Sequence, residues 1–264
     1  MRRRAFLKTT AAAAGLASAG VATQSAPAAD KAAGSNRSYF EIRSYTLSTP
    51  EKKVLLDAYL RDGAIPALNR AGIRTVGVFS EEKPSPKPVV YVVLPYASLD
   101  QLAAASQVLS DEVLQKSAAD YLGTPATDPV FERIESWLTQ AFEGMPKMDV
   151  PAKGNQVYQL RIYESPGEKA GKKKIEMFNI GEIAIFKRVG LVPVFFGETI
   201  LGPRMPNLTY MLTFRDQAAK DLAWGAFRQD AEWTKLKGTP GFSDKEIVSH
   251  ITNITLVPAP YSQI

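Results

Sequence analysis

Residues 41–45 read Glu41-Ile42-Arg43-Ser44-Tyr45, and residues 159–163 read Gln159-Leu160-Arg161-Ile162-Tyr163. The two stretches lie 118 residues apart, and their reading decides the fold. Carried forward at the same offset, Gly63 falls on Gly181, Ile65 on Ile183, Arg70 on Arg188, Gly72 on Gly190 and Val76 on Val194. Seven of 39 aligned positions (41–79 on 159–197) are identical, against roughly two expected from ordinary residue frequencies. A one-residue insertion then brings Tyr91 onto Tyr210 and Asp111 onto Asp230. So long a period is a domain duplication, not a solenoid repeat.

Each copy predicts the same order of elements. Residues 39–47 alternate with period two, Phe40 and Ile42 on one face and Glu41, Arg43 and Tyr45 on the other, as a strand requires. Thr49 as N-cap with Pro50 at the first helical position opens a helix to about Arg70, which Gly72 ends. Pro66 inside that pattern predicts a kink or break near Gly63. Strands follow at 73–79 and 89–94 across a Pro-rich turn at 81–88. Ser98 and Gln101 form a capping box for a helix to about Tyr121, and the last strand covers 130–138. The second copy predicts strand 157–163, helix 170–189, strands 191–197 and 208–214, helix 216–235 and strand 246–257. The order β-α-β-β-α-β, twice, is the ferredoxin-like plan of an α+β protein. The first module spans 38–141, the linker 142–154 and the second module 155–264. Two such modules cover each other's open sheet faces in a pseudo-dimeric α+β barrel. If the apolar strand faces pack on the helices, the polar faces look into the space between the sheets.

Arg3-Arg4-Ala5-Phe6-Leu7-Lys8, the alanine-rich stretch after it and Ala26-Pro27-Ala28 fit a twin-arginine signal peptide over residues 1–28. The expectation is a periplasmic or secreted protein with no stable membrane anchor after cleavage. The formal charge is +5, yet four of the 32 basic residues (Arg2, Arg3, Arg4 and Lys8) and no acid lie in that leader. The rest balances 28 basic against 27 acidic side chains, which gives no concentrated basic face for nucleic acid. With no cysteine in the chain, disulfides, thiolate metal sites and cysteine nucleophiles are excluded.

The paired openings, the Arg-x-Gly helix exits at Arg70–Gly72 and Arg188–Gly190, the segment Val130-Phe131-Glu132-Arg133-Ile134-Glu135-Ser136, Gly144-Met145-Pro146 and the tail Leu256-Val257-Pro258-Ala259-Pro260-Tyr261-Ser262 together resemble the NIPSNAP family of the dimeric α+β barrel group. The likeness points to its exported, two-domain bacterial branch. It implies the fold and brings no established catalytic residue. Barrel relatives include small monooxygenases, haem-handling enzymes and lactone isomerases, but fold alone assigns no chemistry.

The candidate ligand-binding residues are Glu41, Arg43, Tyr45, Arg161 and Tyr163. Two guanidinium groups related by the repeat could clamp a carboxylate or enolate between the modules, with the phenols as donors. The alternative is a buried ion-pair network holding the halves in register. His250, the only histidine, lies in a strand pattern beside polar residues and reads as a half-exposed sheet position. Lys172-Lys173-Lys174 reads as a solvated helix face. Trp224 and Phe227 read as the core side of a helix, and Trp233 as core or cavity mouth. Gly197, Gly202, Pro203 and Pro206 read as a hairpin loop. No phosphate loop, dinucleotide fingerprint, nucleophile elbow or metal motif occurs, so no cofactor or metal is expected. A small-molecule or partner-binding protein is the leading reading, with further copies of the chain as one partner. A cofactor-independent monooxygenase- or isomerase-like enzyme and a purely structural or oligomeric module are the rivals.

Overall fold

A computed structural model describes residues 37–83, 85–152, 154 and 157–264. The signal-peptide reading of residues 1–28 falls outside the described residues. Asn36–Ile264 cluster as one compact unit.

The first module runs β1 (Tyr39–Leu47), α1 (Lys52–Ala58), a π-helical turn (Tyr59–Ala64), α2 (Ile65–Arg70), β2 (Gly77–Glu81), β3 (Val89–Tyr96), α3 (Leu99–Ala105), a 3₁₀ turn (Ser106–Ser110), α4 (Glu112–Ser117), α5 (Ala119–Leu122) and β4 (Phe131–Ala141). The second runs β5 (Val157–Glu164), α6 (Glu168–Met177), a π-turn (Phe178–Glu182), α7 (Ile183–Val189), β6 (Val192–Leu201), β7 (Asn207–Phe214), α8 (Gln217–Gln229), α9 (Ala231–Lys237), α10 (Asp244–Ile247) and β8 (His250–Pro258). All eight strands close one antiparallel barrel in the order β1-β3-β2-β8-β5-β7-β6-β4. Within each module this is the ferredoxin-like order 4-1-3-2. Two seams join the modules: β4 pairs with β6 from Leu138–Leu201 to Ala141–Gly197, and β2 pairs with β8 from Phe79–Pro258 to Glu81–Leu256.

The alternation expected along the strands is present, but its two faces are exchanged. Phe40, Ile42, Tyr158, Leu160, Ile162, Val93, Phe195, Met211 and Trp137 share one buried cluster drawn from both modules, so the apolar face lines the barrel interior. Tyr45 and Leu47 pack instead under the helices of the first module, and Tyr163 under those of the second. The polar interior expected between the modules is therefore replaced by a packed apolar one. Phe40 meets Phe195 across it at a ring separation of 4.8 Å. Full burial of such a side chain contributes about 1.5–3 kcal/mol.

Several boundaries differ from expectation. The first helix begins at Lys52, not at Pro50. Near Gly63 the α-helix is interrupted by a π-turn, Tyr59–Ala64, and continues as α2. The second copy does the same with Ala184 where the first has Pro66, so proline is not the cause. The strand expected from Ile73 starts only at Gly77, because Thr75 has φ 61° and the peptide at Val76 bonds the C-terminal tail. Gln263 N–H donates to the Val76 carbonyl and Val76 N–H to Gln263 Oε1, both at 2.9 Å. A side chain at Gly77 would force its neighbours to shift, since a Cβ would lie 2.6 Å from both the Phe79 ring and Ile264 Cδ1. The long helices expected to about Tyr121 and from 216 to 235 are interrupted where Asp111 and Asp230 cap new ones, accepting from the peptides of Leu114 and Trp233 at 2.9 Å. Residues 246–249 complete a short helix and its exit before β8. Gly197 lies within β6 rather than in the hairpin loop. In the stretch expected to be a linker, Phe142 and Met145 are buried in the second module's helix-side core.

The capping aspartates confirm the duplication. Arg70 grips Asp111 at 2.6 Å and Arg188 grips Asp230 at 2.8 Å. The caps Ser98 and Asp216 are 118 apart, whereas Asp111 and Asp230 are 119 apart, so the insertion falls between those caps. Tyr91 and Tyr210 are accordingly not equivalent: Tyr91 pairs with Ser44 and faces the barrel interior, while Tyr210 pairs with Arg161 on the helix side. Among the described residues no helix is long and apolar enough to cross a membrane.

Because the interior is shared, Phe40→Ala should cost about 3–5 kcal/mol in denaturant unfolding. Phe195→Ala should cost a similar amount, and the double variant less than the sum. Two separable unfolding transitions would contradict a shared core.

Candidate functional site

With the polar strand faces turned outward, the two arginines cannot meet. β1 and β5 stand four strands apart around the barrel, and each arginine sits under the helices of its own module. Arg43 is neutralised locally. Its Nε donates to Glu41 Oε1 at 2.5 Å and its Nη2 to Glu41 Oε2 at 2.9 Å. Tyr96 and Ser136 each add a hydroxyl donor to the same carboxylate at 2.7 Å. Burial pushes the Glu41 carboxyl up, but the Arg43 guanidinium and the two hydroxyls outweigh it and hold it below the usual range. Tyr45 is buried nearby, and burial raises its phenol. Tyr59 and Tyr121 stack at 4.0 Å, and burial pushes Tyr59 up to about 12. The ion-pair alternative thus describes Glu41 and Arg43, within one module rather than between the two.

In the second module Gln159 stands where the first has Glu41. Its amide is committed: Trp224 Nε1 donates to Gln159 Oε1 at 2.7 Å, and Gln159 Nε2 donates to Asn253 Oδ1 at 2.8 Å. Among the described residues Arg161 has no carboxylate partner. Its Nη2 donates to the Tyr163 hydroxyl at 2.9 Å, its guanidinium lies 4.6 Å from the Trp224 ring centre, and its buried Nε has no hydrogen-bond partner. Tyr210 is wholly buried, which pushes its phenol well above the ordinary range. Its hydroxyl lies 3.0 Å from the Tyr163 oxygen, and the Arg161 guanidinium lies beside both phenols. Tyr210 donates there, the direction that satisfies its buried proton. The Tyr163 oxygen then accepts two hydrogen bonds, and its own proton has no acceptor among the described residues.

Arg161 and Tyr163 open onto a cavity of about 540 Å³ between the second sheet and its helices, lined also by Lys174, Glu182, Trp224 and Trp233. Lys174 is not on the solvated face expected of residues 172–174. It is 1 % exposed and bonds Glu182 at 3.0 Å and Asp244 at 3.1 Å. The rings of Tyr163, Phe178 and Trp233 surround its ammonium within 5.6 Å. Burial lifts the Glu182 carboxyl above the ordinary range despite Lys174 beside it. The π-turn ends at Glu182, and such turns recur at functional sites. Trp233 is a cavity wall, and Trp224 is wall and core together. His250 is exposed at the start of β8.

The residues missed at first, Lys174 and Glu182, carried a signal. At the 118-residue offset they fall on Leu56 and Ala64, both buried under the first module's helices. Charge at positions that are apolar in a sister copy marks a departure from pure packing.

Residues 158–263 match the NIPSNAP family model. The match falls on the module that holds the cavity. By fold, the chain is similar to a candidate monooxygenase from Fusobacterium nucleatum, at 10 % identity over 85 % of this chain and 93 % of the other, with a TM-score of 0.59. A candidate monooxygenase from Lactobacillus acidophilus gives 10 % identity, 84 % and 94 % coverage and a TM-score of 0.58. A NIPSNAP family protein of Agrobacterium tumefaciens gives 17 % identity over 44 % of this chain and 97 % of its own, with a TM-score of 0.37. No curated protein matches the chain by sequence. At such identities the first two neighbours show the barrel fold and no more.

Lys174→Met strands Glu182 in an apolar wall, and the stranded carboxyl takes up a proton more readily than in the unfolded chain. The cost is therefore full above its folded pKa and fades as pH falls toward the ordinary 4.5. A loss of about 3–5 kcal/mol at pH 8 is expected, shrinking in acid. Chemical denaturation at both pH values checks it; a loss independent of pH would mean that Glu182 is not the stranded group.

Proposed function

We propose that this protein binds a small molecule in the cleft between sheet and helices of its second module, with Arg161 and Tyr163 as anchoring groups. One observation carries this reading: a sizeable cavity opens on a half-buried arginine that forms no ion pair with a carboxylate among the described residues, beside a phenol whose proton is unclaimed. A partly buried cation without a direct ion-pair partner is costly, and a ligand acceptor would offset that cost. Glu41, Arg43 and Tyr45 belong instead to the equivalent face of the first module, where the carboxylate neutralises the arginine and the ion pair serves stability.

A second reading has one specific support. Glu182, its carboxyl lifted by burial, lies on the cavity wall beside Lys174, an arrangement suited to taking or returning a proton. On that reading the protein is a cofactor-independent enzyme of the monooxygenase or isomerase kind, in keeping with the barrel fold shared with candidate monooxygenases. The purely structural reading draws support from the packed barrel interior and leaves the second cleft unexplained.

We further propose that the chain is exported folded, on the strength of Arg3-Arg4 and the leader around them. Replacing both by lysine should leave the protein in the cytoplasm on fractionation; continued export would remove the proposal. For binding, native mass spectrometry of protein taken from its own host compartment should reveal a retained small molecule. Arg161→Ala should release it while the melting temperature stays within a few degrees. Arg43→Ala should retain the ligand but lower the melting temperature, because it strands Glu41. A mass equal to the bare chain in every preparation would count against the binding reading.

A further inference from the structure

Two groups at the cleft are unmet, and together they describe what would meet them. The Nε of Arg161 is a buried donor without acceptor, and the Tyr163 proton is free because its oxygen already accepts from Arg161 and Tyr210. Both side chains occupy adjacent same-face positions of β5 and border the cleft, so the open edge of the guanidinium and the phenol are suited to one acceptor group. Cations on the wall outnumber carboxylates by four to three. Lys174 is already held by Glu182 and Asp244, so the surplus charge belongs to the other end of the cleft. The remaining wall is aromatic: Trp224, Phe227 and Trp233 form a chain of contacts at 5.6 and 4.5 Å, with Arg161 stacked over Trp224.

We infer that the second-module cleft selects planar aromatic monoanions, a carboxylate or enolate bound by Arg161 and Tyr163 with its ring against Trp224 and Trp233. The inference rests on the binding reading above and names the ligand class for that site. Selectivity then comes from a single difference between the copies. Glu41 supplies the first arginine with an internal anion; Gln159 leaves the second arginine for an external one. The uncharged amide of Gln159 also holds Trp224 in place through its Nε1, so the same residue leaves the cation open and sets the aromatic wall. A bidentate guanidinium–carboxylate contact in a largely buried site favours the anion strongly over its neutral isostere. Aromatic faces favour flat rings over flexible chains.

The test uses the mature full chain and three probes in calorimetric titration: 1-naphthoate, its neutral isostere 1-naphthamide, and octanoate as an aliphatic monoanion. Naphthoate should bind at least ten-fold tighter than either of the others. Gln159→Glu copies the Glu41–Arg43 pair into the second module, where the same spacing on the strand brings the carboxylate to the guanidinium. It should weaken naphthoate ten-fold or more, leave naphthamide within two-fold and keep the melting temperature. Equal binding of naphthoate and naphthamide, or an unaffected naphthoate affinity in Gln159→Glu, overturns the anion class while the cleft stands as a binding site. Octanoate binding as tightly as naphthoate overturns the aromatic class. Binding of none of the three, with thermal shift also flat, overturns this inference, and native mass spectrometry then decides separately whether the cleft holds a different ligand.

Discussion

The two sheets of this barrel share one interior, and the residues that fill the space between them govern the rest. That space is closed by two seams, β4 to β6 and β2 to β8, and filled by Phe40, Phe195, Tyr158, Leu160 and their neighbours from both modules. An apolar interior shared by two sheets tolerates no unpaired charge. The arginines and most of the ionisable tyrosines of the strands are therefore turned outward, beneath the helices, where cavities can open and water or a ligand can reach them. The packed interior does not compete with function; it decides where function can be.

Duplication supplied two equivalent strand faces beneath helices, and they have diverged while keeping one scaffold. The common part is structural: the Arg70–Asp111 and Arg188–Asp230 grips, the left-handed glycines Gly72 and Gly190 that end the helices, and the π-turn before each second helical segment. The divergent part concerns charge. The first face pairs Glu41 with Arg43 and keeps Leu56 and Ala64 apolar; the second has Gln159, Lys174 and Glu182 at the equivalent positions. One face satisfies itself and the other opens on a cleft with donors to spare. The surface ion pairs around them, such as Lys173 with Glu176 at 2.8 Å, contribute little beyond solvation of the helices.

Much of this was legible in the residues themselves. Period-two alternation showed which side chains share a strand face, and the repeat showed that both halves follow one plan. Helix stops at Gly72 and Gly190 and the capping of Ser98 were read from local chemistry that neighbours cannot easily override. The mid-helix breaks were missed because Asp111 and Asp230 sit in otherwise periodic helical stretches, and their cap role depends partly on arginines some forty residues away. The late start of β2 was missed for a similar reason: the tail at Gln263 and Ile264 takes the hydrogen bonds and space that a longer strand would use.

The sequence by itself determined the fold class, the duplication and the grouping of Glu41, Arg43 and Tyr45, and of Arg161 and Tyr163, on common faces, because these follow from periodicities carried along one chain. Only the tertiary structure decided which face looks inward. A strand face records that it will be covered, not whether a helix or a sister sheet covers it. That choice separated the two arginines, moved the cavity from between the modules into one of them, and brought Lys174 and Glu182 to its wall.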